Sequence, residues 1–134
     1  MRHAVFSILV ENSSGVLSRV AGLFSRRGYN IDSLTVGETQ DPKYSRMTVT
    51  VTGDDDVLEQ IQKQLTKLVD VKEIMELPQD ASVCRELVLV KVECELTGAQ
   101  NKLNAFIELL NGFKITELAR TGITGLARGA ANLK

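Results

Sequence analysis

Glu11-Asn12-Ser13-Ser14-Gly15-Val16-Leu17 is the stretch on which the fold turns. Before it, Ala4-Val5-Phe6-Ser7-Ile8-Leu9-Val10 is an almost continuous apolar run of strand length. After it, Leu17, Val20, Ala21 and Phe24 recur at i, i+3, i+4 and i+7, the spacing of an amphipathic helix. A helix that starts directly after a small polar loop presents unpaired backbone N–H groups at its positive end. That end is a receptor for a small carboxylate or phosphate. Nothing around the loop reads as a nucleophile, a base or a metal cluster. The stretch therefore reads as a binding module for a small anion or zwitterion, not as a catalyst.

Working outward, Gly28 is a natural stop for a helix over residues 15–27. Residues 31–39 read as a second strand, with Ile31, Leu34 and Val36 in partial alternation, and Asp41-Pro42-Lys43 is turn chemistry. In residues 45–52, Met47, Val49 and Val51 alternate with Arg46, Thr48 and Thr50, as on a pleated strand. Gly53-Asp54-Asp55-Asp56 caps a second helix whose stripe is Leu58, Ile61, Leu65 and Leu68. Residues 69–77 read as a fourth strand. The order βαββαβ predicts an α+β, ferredoxin-like domain over residues 1–77. Its two helices cover one face of a four-stranded antiparallel sheet.

Residues 78–84 read as a linker, and residues 85–134 as a smaller carboxy-terminal α+β domain. Within it, residues 86–96 carry a strand pattern and residues 99–110 a helix with Leu103, Phe106, Ile107 and Leu110 on one face. Residues 113–118 carry another strand pattern. The tail from Arg120 to Gly129 is rich in Gly and Arg; it is either a flexible terminus or a segment that orders on a partner, the second being preferred. Two strands and one helix bury little by themselves. The first sheet is also expected to keep one uncovered face. Both features predict a homodimer at least.

The formal net charge of −1 gives the chain no electrostatic reason to bind nucleic acid or an anionic membrane. No apolar run approaches the ~18–20 residues of a membrane span, and the amino terminus carries no signal-peptide pattern. The 2 cysteines, Cys84 and Cys94, form neither a disulfide framework nor a zinc motif. A reduced, cytoplasmic protein is expected. His3 is the single histidine, so no catalytic triad or histidine-based metal site can form within one chain. Asp54-Asp55-Asp56 reads better as a helix N-terminus than as a cation site. Arg19, Arg26, Arg27 and Arg46 read individually as solvated or surface-paired residues, and Tyr29 and Phe113 as core.

The first 77 residues resemble an ACT domain, the amino-acid-sensing module of many biosynthetic enzymes. More closely, Val10–Val20, Leu23–Val36, Tyr44–Thr48, Glu59–Val71, Arg85–Val92 and Glu117–Gly122 resemble the small regulatory subunit of acetolactate synthase (acetohydroxyacid synthase). One departure stands out. In that family, the strand matching Leu89-Val90-Lys91-Val92 leads into a helix and a further strand before the part matching Leu96-Thr97-Gly98. Here that block, roughly 25–30 residues on the scale of a βαβ unit, is missing near residues 92–94. It is either a natural shortening or a segment left out of this sequence. The second is expected, because the half-domain that remains would lack a stable sheet.

The resemblance implies a non-catalytic subunit that binds and activates a large catalytic subunit and confers feedback inhibition by valine. Thiamine diphosphate, Mg²⁺ and FAD would then sit on the large subunit, and none in this chain, which has no Gly-rich dinucleotide fingerprint. An amino-acid effector needs its carboxylate and ammonium held and its side chain in an apolar pocket. The N–H groups of Val16 and Leu17 suit the carboxylate, Gly15 permits close approach, and the Asn12 amide suits either charge. Turn and cap chemistry alone would account for Asn12 and Gly15 about as well; the resemblance tips the balance to binding. Asn30 matches the family position that completes the site across a dimer of ACT domains, and Ile31 and Val16 are candidate apolar walls. The competing reading is a free-standing ACT-domain amino-acid sensor acting on another protein. An RNA-binding role would want exposed aromatics on the central strands. A metal carrier would want cysteines in the first loop. An acylphosphatase-like enzyme would want an arginine there; none of these is present.

Overall fold

The computed structural model describes residues 1–93 and 114–129. The first strand, β1 (Arg2–Glu11), leads through the polar loop into helix α1 (Val16–Arg27). Strands β2 (Ser33–Glu38) and β3 (Tyr44–Gly53) follow as a hairpin, then helix α2 (Asp55–Thr66) and strand β4 (Val71–Glu76). The sheet order is β2-β3-β1-β4, and every neighbouring pair is antiparallel. This is the ferredoxin-like arrangement expected from the sequence.

The local chemistry explains the boundaries. Gly15 and Gly28 bracket α1, both left-handed with φ of 86° and 70°, and Gly28 N–H closes the helix on Phe24 and Ser25. Arg26 and Arg27 occupy the last turn, where the dipole favours cations. Asp54 caps α2, its carboxylate accepting the N–H of Val57 at 2.9 Å, with Asp55 and Asp56 in the first turn. The acidic run is thus a helix start. At the β2–β3 turn, Asp41 accepts the N–H groups of Lys43 and Tyr44, each at 3.0 Å.

Period-2 alternation in β1 and β3 sends Ala4, Phe6, Ile8, Val10, Met47, Val49 and Val51 to the helix-covered face. There they meet Val20, Leu23 and Phe24 of α1 and Leu58, Ile61 and Leu65 of α2, all buried. Tyr29 packs edge-on against Phe24 at 6.4 Å between ring centres, as a core residue does.

The opposite sheet face is not open, which corrects the expectation of one uncovered face. Ser7, Leu9, Thr48 and Thr50 on that side are all buried within the single chain. Segments that the sequence left as linker and tail are also structured. Residues 79–81 make a 3-10 turn and Ser82–Arg85 form strand β5, so the span 78–84 is not a free linker. Residues 124–127 form strand β8, antiparallel to β5, with Ser82 opposite Ala127 and Arg85 opposite Thr124. The tail is therefore an ordered strand here, not a loose terminus.

By contacts the chain forms two compact units. The first comprises residues 1–86 with residues 122–134, and the second residues 87–121. In the second, β6 (Val88–Glu93) pairs antiparallel with β7 (Lys114–Arg120), and the register shifts between Lys91 and Val92. Leu87 and Thr121 close this hairpin, the N–H of each donating to an oxygen of the other. The expected strand over residues 86–96 is thus seen as Val88–Glu93 among the described residues. The expected helix over residues 99–110, Phe113 and Cys94 lie outside them.

Candidate functional site

The end of β1 is held from two sides. Glu11 N–H donates to the Asp70 carbonyl at 2.9 Å, and Asn12 N–H to the Lys43 carbonyl at 2.8 Å. The Asn12 side chain continues this clamp, its Nδ2 donating to Pro42 O at 2.9 Å and to Glu38 Oε1 at 3.1 Å. Asn12 thus ties the first loop to the β2–β3 hairpin. Gly15 then takes φ +86°, a backbone that L side chains adopt only under strain. No side chain caps α1, and no acidic residue lies in its first turn. The helix start at Val16 and Leu17 therefore presents its N–H groups without a competing side-chain oxygen.

Arg19 adds a positive group, and of the two readings its sequence allows, a solvated face or a surface ion pair, the structure shows the ion pair. Its Nε donates to Asp70 Oδ2 at 2.5 Å, and Asp70 is buried. The hydrogen bond to that carboxylate raises the guanidinium above its ordinary value, so Arg19 stays charged across any working pH. Its Nη1 lies 2.9 Å from the place a Gly15 Cβ would occupy. A carboxylate arriving at Gly15 would meet the helix N–H groups and a guanidinium together. Beside them runs an open groove of about 430 Å³ lined by Gly15, Ser18, Arg19, Gly22, Arg26 and Leu68. On the far side of the loop, Lys72 Nζ lies 4.1 Å from the centre of the Tyr44 ring. The neighbouring Tyr44 raises its pKa.

The other candidates separate into three groups. Val16 is 3% exposed and belongs to the core, so it offers its N–H but no apolar wall. Leu17, 47% exposed, is the apolar side chain that the helix start presents at the surface. Ile31 is partly buried against the first unit's own core, and Asn30 is exposed, its Nδ2 directed to Asp32 Oδ1 at 3.4 Å. Asn30 and Ile31 lie at the opposite end of the sheet. Asp32 N–H donates to the Thr50 carbonyl at 2.8 Å, and Thr52 joins Asp32 to His3. Six residues of β3 separate that end from Tyr44, roughly 20 Å of strand. One chain therefore does not gather Asn12, Gly15, Val16 and Leu17 with Asn30 and Ile31.

Among the described residues no cluster of three or more His, Cys, Asp or Glu could hold a metal ion. No helix among them is long and apolar enough to cross a membrane.

A ferredoxin-like βαββαβ unit whose first helix starts at a glycine without a side-chain cap has the architecture of an ACT domain. The family models agree: residues 6–73 match an acetohydroxyacid synthase small-subunit-like ACT domain, and residues 94–129 match the small subunit of acetolactate synthase. The chain is 46% identical to the acetolactate synthase isozyme 3 small subunit of Salmonella typhimurium, covering 93% of this chain and 95% of that relative. It is 44% identical to a probable acetolactate synthase small subunit of Methanothermobacter thermautotrophicus, covering 96% and 95% respectively. The crystal structure of the acetolactate synthase small subunit from Thermotoga maritima superposes with a TM-score of 0.80 at 36% identity, over 98% of this chain and all of that one. The chain belongs to the acetolactate synthase small-subunit family and is a regulatory subunit with an ACT domain. The two alignments run over 155 and 159 residues, more than the 134 residues of this chain, so both relatives carry residues that it lacks.

Proposed function

We propose that this chain binds the catalytic large subunit of acetolactate synthase, raises its activity, and makes it sensitive to valine. The observation that carries the effector site is the start of α1, where N–H groups free of any side-chain cap, Gly15 and the Arg19 guanidinium converge. Valine's carboxylate docks there, and Leu17 supplies apolar surface for its side chain. Asn30 and Ile31 sit roughly 20 Å away along the sheet, so they complete the site from a second copy. The working unit is a homodimer through ACT domains, whose two-fold axis sets one copy's Asn30 beside its partner's Gly15. Thiamine diphosphate, Mg²⁺ and FAD belong to the large subunit. The complex works in the cytoplasm, in branched-chain amino-acid synthesis.

Reconstitution tests this reading. The purified chain is titrated into the catalytic subunit of the same organism, with and without L-valine. A saturable rise in acetolactate formation that valine then suppresses supports the proposal. No rise and no co-migration on gel filtration would contradict it and favour a sensor that acts on another protein.

A further inference from the structure

We infer that residues 122–127 form a strap by which the carboxy-terminal segment reads the position of strand β2, and hence whether the effector site is filled. The inference rests on the effector reading above and adds the element that transmits it. Strand β2 is an edge of the sheet and starts two residues after Ile31. The strap crosses β2 at Ser33 and Thr35. Ile123 N–H donates to Ser33 Oγ, and Thr35 Oγ1 donates to the Ile123 carbonyl, each at 3.4 Å. Gly122, at φ +87°, comes so close that a Cβ there would lie 2.8 Å from Ser33 Cβ.

The seam is tight in backbone approach, and the two Ile123 hydrogen bonds that join it to β2 are long, near the limit for such bonds. A small shift of β2 therefore breaks those two bonds. Such a shift cannot be absorbed one residue further on. Three residues beyond, Gly125 is wedged in the β5–β8 ladder, where a Cβ would lie 2.7 Å from Cys84 Sγ and 3.0 Å from the Val83 carbonyl. In the proposed switch this strap, anchored at one end, is latched to β2 in one state and released in the other, as transmission between sites requires. Ser33 is also joined to Thr50 Oγ1 at 2.5 Å, so the latch registers the whole β2–β3 pair.

The test compares wild type, Gly122→Ala and Thr35→Val, each in complex with the catalytic subunit. Three quantities are measured: valine binding by calorimetry, valine inhibition, and amide hydrogen exchange over residues 123–127. In wild type, valine is expected to change exchange there by about fivefold or more, the lower range of site-to-site coupling. Gly122→Ala, which strains the backbone and collides with Ser33, is expected to keep valine heat and activation, lose the exchange response and lose inhibition. Thr35→Val keeps shape, removes one latch bond, and is expected to weaken inhibition part way; it serves if Gly122→Ala does not fold. Valine heat in wild type with unchanged exchange over residues 123–127 overturns the inference. So does full inhibition in a folded variant whose strap exchanges freely. Absence of valine heat in wild type is a different result, which removes the effector reading itself.

Discussion

At Gly15 the backbone is left-handed and the place of a side chain is filled by Arg19. Gly15→Ala is expected to cost about 1–2 kcal/mol, the penalty of placing an L residue in that conformation, read as a lower Tm. Gly15→Asp adds a negative charge at the proposed carboxylate position and is expected to abolish valine binding while activation of the large subunit survives. Arg19→Met leaves the buried Asp70 carboxylate without its donor. It is expected to destabilise the chain, because a buried acceptor loses its partner, and to weaken valine binding besides. A chemical denaturation series with a valine titration on each variant checks both effects. Gly15 was legible from its place between a strand pattern and a helix pattern. Arg19 was not, because its partner lies 51 residues away and nothing local marks a long-range ion pair. The burial of Val16 was equally hidden. A single apolar residue at a helix start fits either a pocket wall or the core until the helix axis is placed.

The helices and long strands follow directly from their periodicity. Each carries enough apolar positions at period 3.6 or 2 to fix which face turns inward. The Asp54 cap was visible for the same reason, as a short acidic run just ahead of an apolar stripe. Asp54→Ala is expected to cost about 1 kcal/mol, less than the ~3–5 kcal/mol for Phe24→Ala at the centre of the core. Thermal melts of the two variants should rank them in that order. Strands β5 and β8 escaped the sequence reading because four residues are too few to show a period. Ser82 and Ala127 also meet across 45 positions of chain. The Gly-rich tail looked loose because glycine lacks side-chain signal, yet Gly122 and Gly125 are there because nothing larger fits.

For the whole molecule, the separation of the two halves of the proposed site is the main constraint. Strands β2 and β4 remain sheet edges among the described residues, and edges of this kind invite pairing with a second chain. A two-fold pairing converts one distance within a chain into two complete sites between chains. Co-expression should show this. Homodimers of Gly15→Asp and of Asn30→Ala each lose valine binding, whereas the mixed dimer keeps one intact site and binds at half the wild-type stoichiometry. Sites contained within one chain would give no recovery on mixing. Calorimetric titration of the wild-type chain with L-valine, with glycine and D-valine as controls and Gly15→Asp alongside, tests the central claim most directly. Saturable heat specific to L-valine, absent in the variant, is the predicted result. Equal heat in wild type and Gly15→Asp would contradict an effector site at the start of the first helix.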